Sequence, residues 1–156
     1  MLYNRSLETG QIPEIWKCAN ISPVYKKVEN NEVSDYKPVS LIRILCKVME
    51  SIIRDKIMEH FVVNNLFTDK QFGFLKGRST VTQLLKVLDD WTEALETGGR
   101  IDVIYTDFEK AFDKVPHRRL LSELKACKFH TCVIDWTSSL FLNRKQRIRI
   151  NEEFSH

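Results

Sequence analysis

The stretch RIDVIYTDFEKAFDKVP, Arg100 to Pro116, decides how the rest of this 156-residue chain is read. Its first part, Ile101 to Thr106, is rich in β-branched and aromatic residues and predicts a short central strand. Strand side chains alternate, so Val103, Tyr105 and Asp107 would share one face, with Ile104 and Thr106 on the other. Gly98-Gly99 and Pro116 punctuate the two ends. A carboxylate at the end of an apolar strand is costly to bury unless something pairs with it. A metal ion is one such partner: in two-metal phosphoryl transfer the cations clamp the attacking and leaving oxygens. The competing reading of Asp107 is a turn residue or the N-cap of the next element.

Composition bounds the answer without choosing it. The length suits one domain with a real core, and 43% hydrophobic with 29% charged residues reads as globular and soluble. A net charge of +3 does not demand nucleic acid, so any basic surface has to be local. No apolar run approaches membrane-spanning length, and MLYNRSLETG lacks a signal-peptide pattern, which predicts no membrane partner. Four scattered cysteines (Cys18, Cys46, Cys127, Cys132) suggest reduced thiols in an intracellular protein. Cys127, His130 and Cys132 raise zinc, but three ligands without a fourth at a familiar spacing favour thiols and a surface histidine.

From the N-terminus, Leu2 to Leu7 predicts a helix ending at Gly10, and IPEIWKCANISPVYKK predicts extended chain or a hairpin broken by Pro13 and Pro23. Ser40 is expected to cap a long amphipathic helix. Its stripe of Leu41, Leu45, Val48, Met49, Ile52, Ile53, Ile57 and Phe61 would be core, and Asn64-Asn65 would end it. Thr80 and Gln83 fit a capping box for a second helix, striped by Val81, Leu84, Leu85, Leu88, Trp91 and Leu95 and closed by Gly98-Gly99. Two short helices come after Asp107, one with Leu120, Leu121 and Leu124, the other from about Val133 to Leu142. In NRKQRIRIN, Lys145, Arg147 and Arg149 alternate with Gln146, Ile148 and Ile150. The basic face either protects an edge strand from aggregation or tracks phosphates.

YTDFEKAFD, extended through KVPHRRLLSEL, resembles the first carboxylate motif of reverse transcriptases of non-LTR (LINE-type, jockey/CR1-like) retrotransposons. Group II intron maturases share the aspartate and fold, but the wording YTDFEKAFDKVPH argues against them. The resemblance implies an α+β right-hand polymerase fold, with a fingers-like region over about residues 1–99 and the start of a palm over about 100–156. It implies Asp107 as the catalytic carboxylate and metal ligand, joined by the Phe108 carbonyl, with Mg²⁺ as the ion. Phe112 matches the bulky position that crowds the sugar 2′ carbon, though core packing is also open to it. Lys26 or Lys27 would approach the incoming triphosphate. Lys37 stands where the family has an arginine, keeping the charge but not the two-pronged grip.

Gln71-Phe72-Gly73-Phe74, with Lys76 and Gly77-Arg78, matches the family's glutamine-phenylalanine-glycine-phenylalanine segment. Gly73, Lys76 and Arg78 would meet the template backbone, and a turn that only introduces a helix is the competing view. Arg144 and Gln146 place the Lys145–Arg149 strand near primer and template. The implied partners are an RNA template, a DNA primer and deoxynucleoside triphosphates, in nucleus and cytoplasm. The sequence runs to Ser155-His156 before the family's glycine-proline-glutamine-glycine segment and Asp-Asp pair. Asp89-Asp90 lies upstream, in a helical stretch. The chain therefore reads as the first half of the catalytic domain, inactive alone. A catalytically silent retrotransposon remnant that at most binds nucleic acid is the alternative.

Overall fold

The helix expected near the N-terminus, α1 (Leu2–Thr9), stops where Gly10 takes φ +64°, a left-handed conformation that glycine holds without strain. A Cβ on Gly10 would sit 3.3 Å from the Cβ of Asp135, so glycine also allows the close approach of the helix bearing that residue. A single 3₁₀ turn (Glu14–Trp16) leads into β1 (Cys18–Tyr25), followed by β2 (Tyr36–Leu41) and α2 (Ile44–Val63). Then come α3 (Thr80–Glu96), α4 (His117–Ala126), α5 (Thr131–Phe141), β3 (Lys145–Ile150) and the two-residue β4 (Glu153–Phe154). This computed structural model describes residues 2–26, 32, 35–151 and 153–155. It is an α+β chain in two compact units, one of Met1–His60 with Val115–His156, the other Phe61–Lys114.

The first unit holds a mixed four-stranded sheet in the order β2-β1-β3-β4. β1 and β2 form the expected hairpin, antiparallel with Asn20 opposite Leu41 and Tyr25 opposite Tyr36. Pro23 faces Pro38 across that ladder. The Lys26 amide donates to the Asp35 carbonyl at 2.9 Å, so by alternation the proline pair is a position where neither missing N–H is called on. β3 runs parallel to β1, with Cys18 opposite Lys145 and Ile21 opposite Ile148. That ladder ends two residues before Pro23, where β1 has no N–H left to give.

Helices close the core beside the sheet. Ile12, Trp16, Cys46, Met49, Ile53, Trp136 and Leu140 form one buried cluster, edged by Tyr3, Leu7, Ile42, Ile57 and Val133. Each fully buried large side chain contributes about 1.5–3 kcal/mol. Trp136 is only 1% exposed, and its indole N–H donates to Ser6 Oγ at 3.1 Å. Ser6 Oγ in turn donates to the Gln11 carbonyl at 2.6 Å. Two groups that would be costly to bury alone are thereby satisfied, and α1 is tied to α5 and to the turn that feeds β1.

Four sequence expectations need correction. Ile101 to Thr106 form neither strand nor helix, and all but Ile101 are exposed. A strand needs a neighbour for its N–H and C=O groups, and the described strands pair only with one another. Ser40 lies within β2 and so cannot cap α2, which begins at Ile44. The buried line of α2 runs through Cys46, Met49 and Ile53, while Leu45, Val48 and Ile52 are exposed flanks of the expected stripe. The capping box of α3 sits one residue early: Ser79 Oγ accepts from the Thr82 amide at 3.1 Å, and the Ser79 amide donates to Thr82 Oγ1 at 2.9 Å. The apolar stripe of α3 has its predicted spacing, yet no residue of that helix is buried.

Candidate functional site

Asp107 closes an extended, irregular segment and is exposed; among the described residues it has no hydrogen-bond or ionic partner. Phe108 is exposed as well. The chain then turns through 109–114, with Lys110 at φ +52° and the Lys114 amide donating to the Lys110 carbonyl at 3.0 Å. Lys114 Nζ meets Glu109 Oε2 at 2.8 Å, so this neighbouring carboxylate already has a cation. Phe112 is 79% exposed rather than core, and its ring stands edge-on to Phe74 with centroids 6.0 Å apart and planes at 86°. Phe74, in the glycine-containing segment, adopts φ +62°, which a bulky side chain rarely holds. The sugar-crowding candidate and the template-loop candidate therefore meet through two exposed aromatic rings.

Within that loop Arg78 has a structural grip. Its Nη1 donates to the carbonyls of Gln71 at 2.6 Å, Asp69 at 2.8 Å and Thr68 at 3.3 Å. Nη2 reaches the Asp69 carboxylate at 3.5 Å, and the guanidinium lies 5.5 Å from the centroid of Phe72. Gly77 turns the backbone at φ +82°, and the space a Cβ would fill at Gly73 is open. Lys76 is exposed and carries no ion pair among the described residues.

The first unit gathers the other basic candidates. Register places Lys37 opposite Val24, and Arg147 opposite Asn20. Val24, Ser22, Asn20 and Cys18 alternate onto one sheet face, so Lys37 shares that face with Lys145, Arg147 and Arg149. Lys37 and Arg147 are offset by about four residues along the strand direction and by two strands across the sheet, a separation of roughly 16 Å. Arg147 Nε donates to Asn20 Oδ1 at 2.9 Å, and its guanidinium carbon lies 3.9 Å from the centroid of Phe154. Arg149 lies 5.8 Å from the same ring and donates through Nε to the Asn151 carbonyl at 3.2 Å. No carboxylate pairs with Lys37, Lys145, Arg147 or Arg149 among the described residues. Arg144 differs: its Nη1 lies 4.0 Å from Glu50 Oε1, and both are only partly exposed. Lys26 is exposed at the end of β1, and Lys27 lies outside the described residues.

No group of three or more His, Cys, Asp or Glu that could hold a metal occurs among the described residues. His130 Nδ1 and Cys132 Sγ are 3.0 Å apart, while His60 Nε2 donates to the Cys127 carbonyl at 2.8 Å, so Cys127 enters through its backbone. Cys46 is fully buried. Burial, then the adjacent Glu50 charge and its hydrogen bond, push that thiol up to about 12, partly offset by Arg144, which makes Cys46 inert packing rather than a nucleophile. No helix of the described residues is long and apolar enough to cross a membrane.

A family model described as "Reverse transcriptase (RNA-dependent DNA polymerase)" matches residues 25–155. The chain belongs to this family. It is 28% identical over 156 residues to the probable RNA-directed DNA polymerase from transposon BS of Drosophila melanogaster, a match covering 99% of this chain and 17% of that protein. With the RNA-directed DNA polymerase from mobile element jockey of the same fly it is 32% identical over 126 residues, 80% of this chain and 14% of the relative. The polymerase of X-element gives 29% over 126 residues, again 80% and 14%. The reverse-transcriptase segment therefore spans about a sixth or less of the length of these curated relatives, and its kinship is with non-LTR retrotransposons of the jockey kind. Sequence reasoning had named Asp107, Phe112 and the basic strand, but not Asn20, Phe154 or Phe74 as their neighbours. Asn20 left a trace only as a polar residue within a β-prone run.

Proposed function

We propose that this chain forms the fingers, through about residue 99, and the start of the palm, from about residue 100, of a right-hand RNA-directed DNA polymerase. The parent reaction joins the α-phosphate of a deoxynucleoside triphosphate to a primer 3′-hydroxyl on an RNA template, releasing pyrophosphate. In that enzyme Lys26, Lys27 and Lys37 attract the triphosphate, and Phe112 crowds the 2′ carbon. Gly73, Lys76, Arg78, Arg144, Lys145, Arg147 and Arg149 lie along template and primer, Arg78 by shaping its loop. The work would take place in nucleus and cytoplasm. The observation that carries the reading is the family match across residues 25–155, which includes Asp107 and the whole basic sheet face.

Asp107 and the Phe108 carbonyl are the oxygens this chain offers to Mg²⁺. Mg²⁺ requires near-octahedral oxygen coordination and dehydrates reluctantly. One exposed carboxylate and one carbonyl, with Glu109 held by Lys114, do not fit a two-ion site. The residues of this chain bind and orient; phosphoryl transfer requires carboxylates additional to them. Primer extension on an RNA template, with the purified chain beside its Asp107→Ala variant, tests this. Neither should extend. Extension by the chain that disappears in the variant would mean that another carboxylate, such as Asp113 or Glu109, completes the site. The same donor shortage favours one second reading, a nucleic-acid-binding module without catalysis.

A further inference from the structure

We propose that Phe154 and Asn20 are positioning residues that hold the Arg147 guanidinium ready for a phosphate of single-stranded RNA, an inference resting on the nucleic-acid reading of this sheet face. A guanidinium on an exposed strand ordinarily samples many rotamers, and ordering it on binding costs affinity. Here two fixed groups from different elements restrict it. Asn20, on the neighbouring strand and 127 positions earlier, accepts from Nε at 2.9 Å. Phe154, on the edge strand, lies under the guanidinium carbon at 3.9 Å. β4 is held in turn by pairing of Arg149 with Phe154 and of Ile150 with Glu153, and by the Ile148 amide donating to Ser155 Oγ at 2.9 Å.

Neither partner neutralises the charge, because one is an amide oxygen and the other an aromatic face. The terminal Nη donors of Arg147 have no protein partner among the described residues and are left for a phosphate. Lys145 and Arg149, on the same face of β3, extend the positive surface in the direction a strand would follow. An unpaired strand suits this surface better than a duplex, because guanidinium planes exposed beside phosphate contacts can also stack on unpaired bases.

The test is fluorescence anisotropy of a labelled oligouridylate against the full chain over a salt series, paired with the Arg147 Nε–Hε resonance in solution NMR. Arg147→Ala should weaken binding and flatten the salt slope by about 0.7, one phosphate contact on a single strand. Phe154→Leu and Asn20→Ala leave every charge in place and should each weaken binding about two- to five-fold with the slope unchanged. Phe154→Tyr should restore affinity, and Phe154→Leu should add nothing once Arg147 is alanine. The Nε–Hε resonance should be ring-shifted in the parent chain and in Phe154→Tyr, and unshifted in Phe154→Leu. Binding that depends on Arg147 but ignores Phe154 and Asn20 would overturn the positioning roles alone. An unshifted resonance in the parent chain would do the same. No binding of the oligouridylate by the parent chain would overturn the nucleic-acid reading and this inference with it.

Discussion

Replacing Arg78 with methionine separates a loop staple from a phosphate contact. Methionine keeps an apolar stem beside Phe72 but removes the donor that Gln71, Asp69 and Thr68 share at 2.6, 2.8 and 3.3 Å. Nη1 carries two hydrogens, so the two shorter bonds are full and the third is shared. Charged hydrogen bonds contribute about 1.5–3 kcal/mol when well sheltered, but the Arg78 side chain is 33% exposed and water can take over the freed carbonyls. The expected loss of local stability is therefore about 1–2 kcal/mol. Amide exchange reads it directly at Gln71, whose N–H donates to Thr68, and at Arg78, whose N–H donates to Leu75. Both should exchange about ten-fold faster in the variant if they open locally. The salt slope of oligouridylate binding should not change, because a staple neutralises no phosphate. Unchanged exchange together with a slope flattened by about 0.7 would refute the reasoning and put the guanidinium on the nucleic acid.

Ser6→Ala strips the buried Trp136 indole N–H of its acceptor and the Gln11 carbonyl of a donor, and should cost about 1–3 kcal/mol in urea unfolding; a loss within experimental error would show that the relay is dispensable. Cys46 should make the fold sensitive to alkali. Its thiol is raised from the usual 9.0 to about 12, so the stability it contributes is fully present below about pH 9 and is lost as pH rises towards about 12. At about 1.36 kcal/mol per pH unit the loss is capped near 4 kcal/mol. Cys46→Ala should begin less stable but decline less between those limits, and parallel declines would argue against the assignment.

The elements most legible in the sequence were those whose signal is local. The Lys145–Arg149 alternation, the Gly10 stop and the α4 and α5 stripes appear where periodicity and punctuation placed them. What failed depended on partners far away in sequence. Ile101–Thr106 has strand composition, but composition does not supply a neighbouring strand. The apolar stripe of α2 is wide enough to allow several phases, and tertiary packing selected the one through Cys46, a residue the hydrophobic pattern had passed over. Ser40 and Thr80 each have the chemistry of an N-cap, yet Ser40 was taken by the β1–β2 ladder and Ser79 displaced Thr80 by one residue. The site divides in the same way. Motif resemblance pointed to Asp107, while the arrangement of Lys37 with Lys145, Arg147 and Arg149 depends on the parallel β1–β3 pairing, which joins segments more than 120 residues apart.

The proposal that most needs testing is that Asp107 serves as the first catalytic carboxylate of an RNA-directed DNA polymerase. The direct measurement is primer extension on an RNA template by a chimera in which this chain replaces the matching region of the jockey polymerase. The chimera should extend the primer with Mg²⁺ and deoxynucleotides, and its Asp107→Asn variant should fall to the no-enzyme background while still binding RNA. Extension that is undiminished by Asp107→Asn would contradict the account.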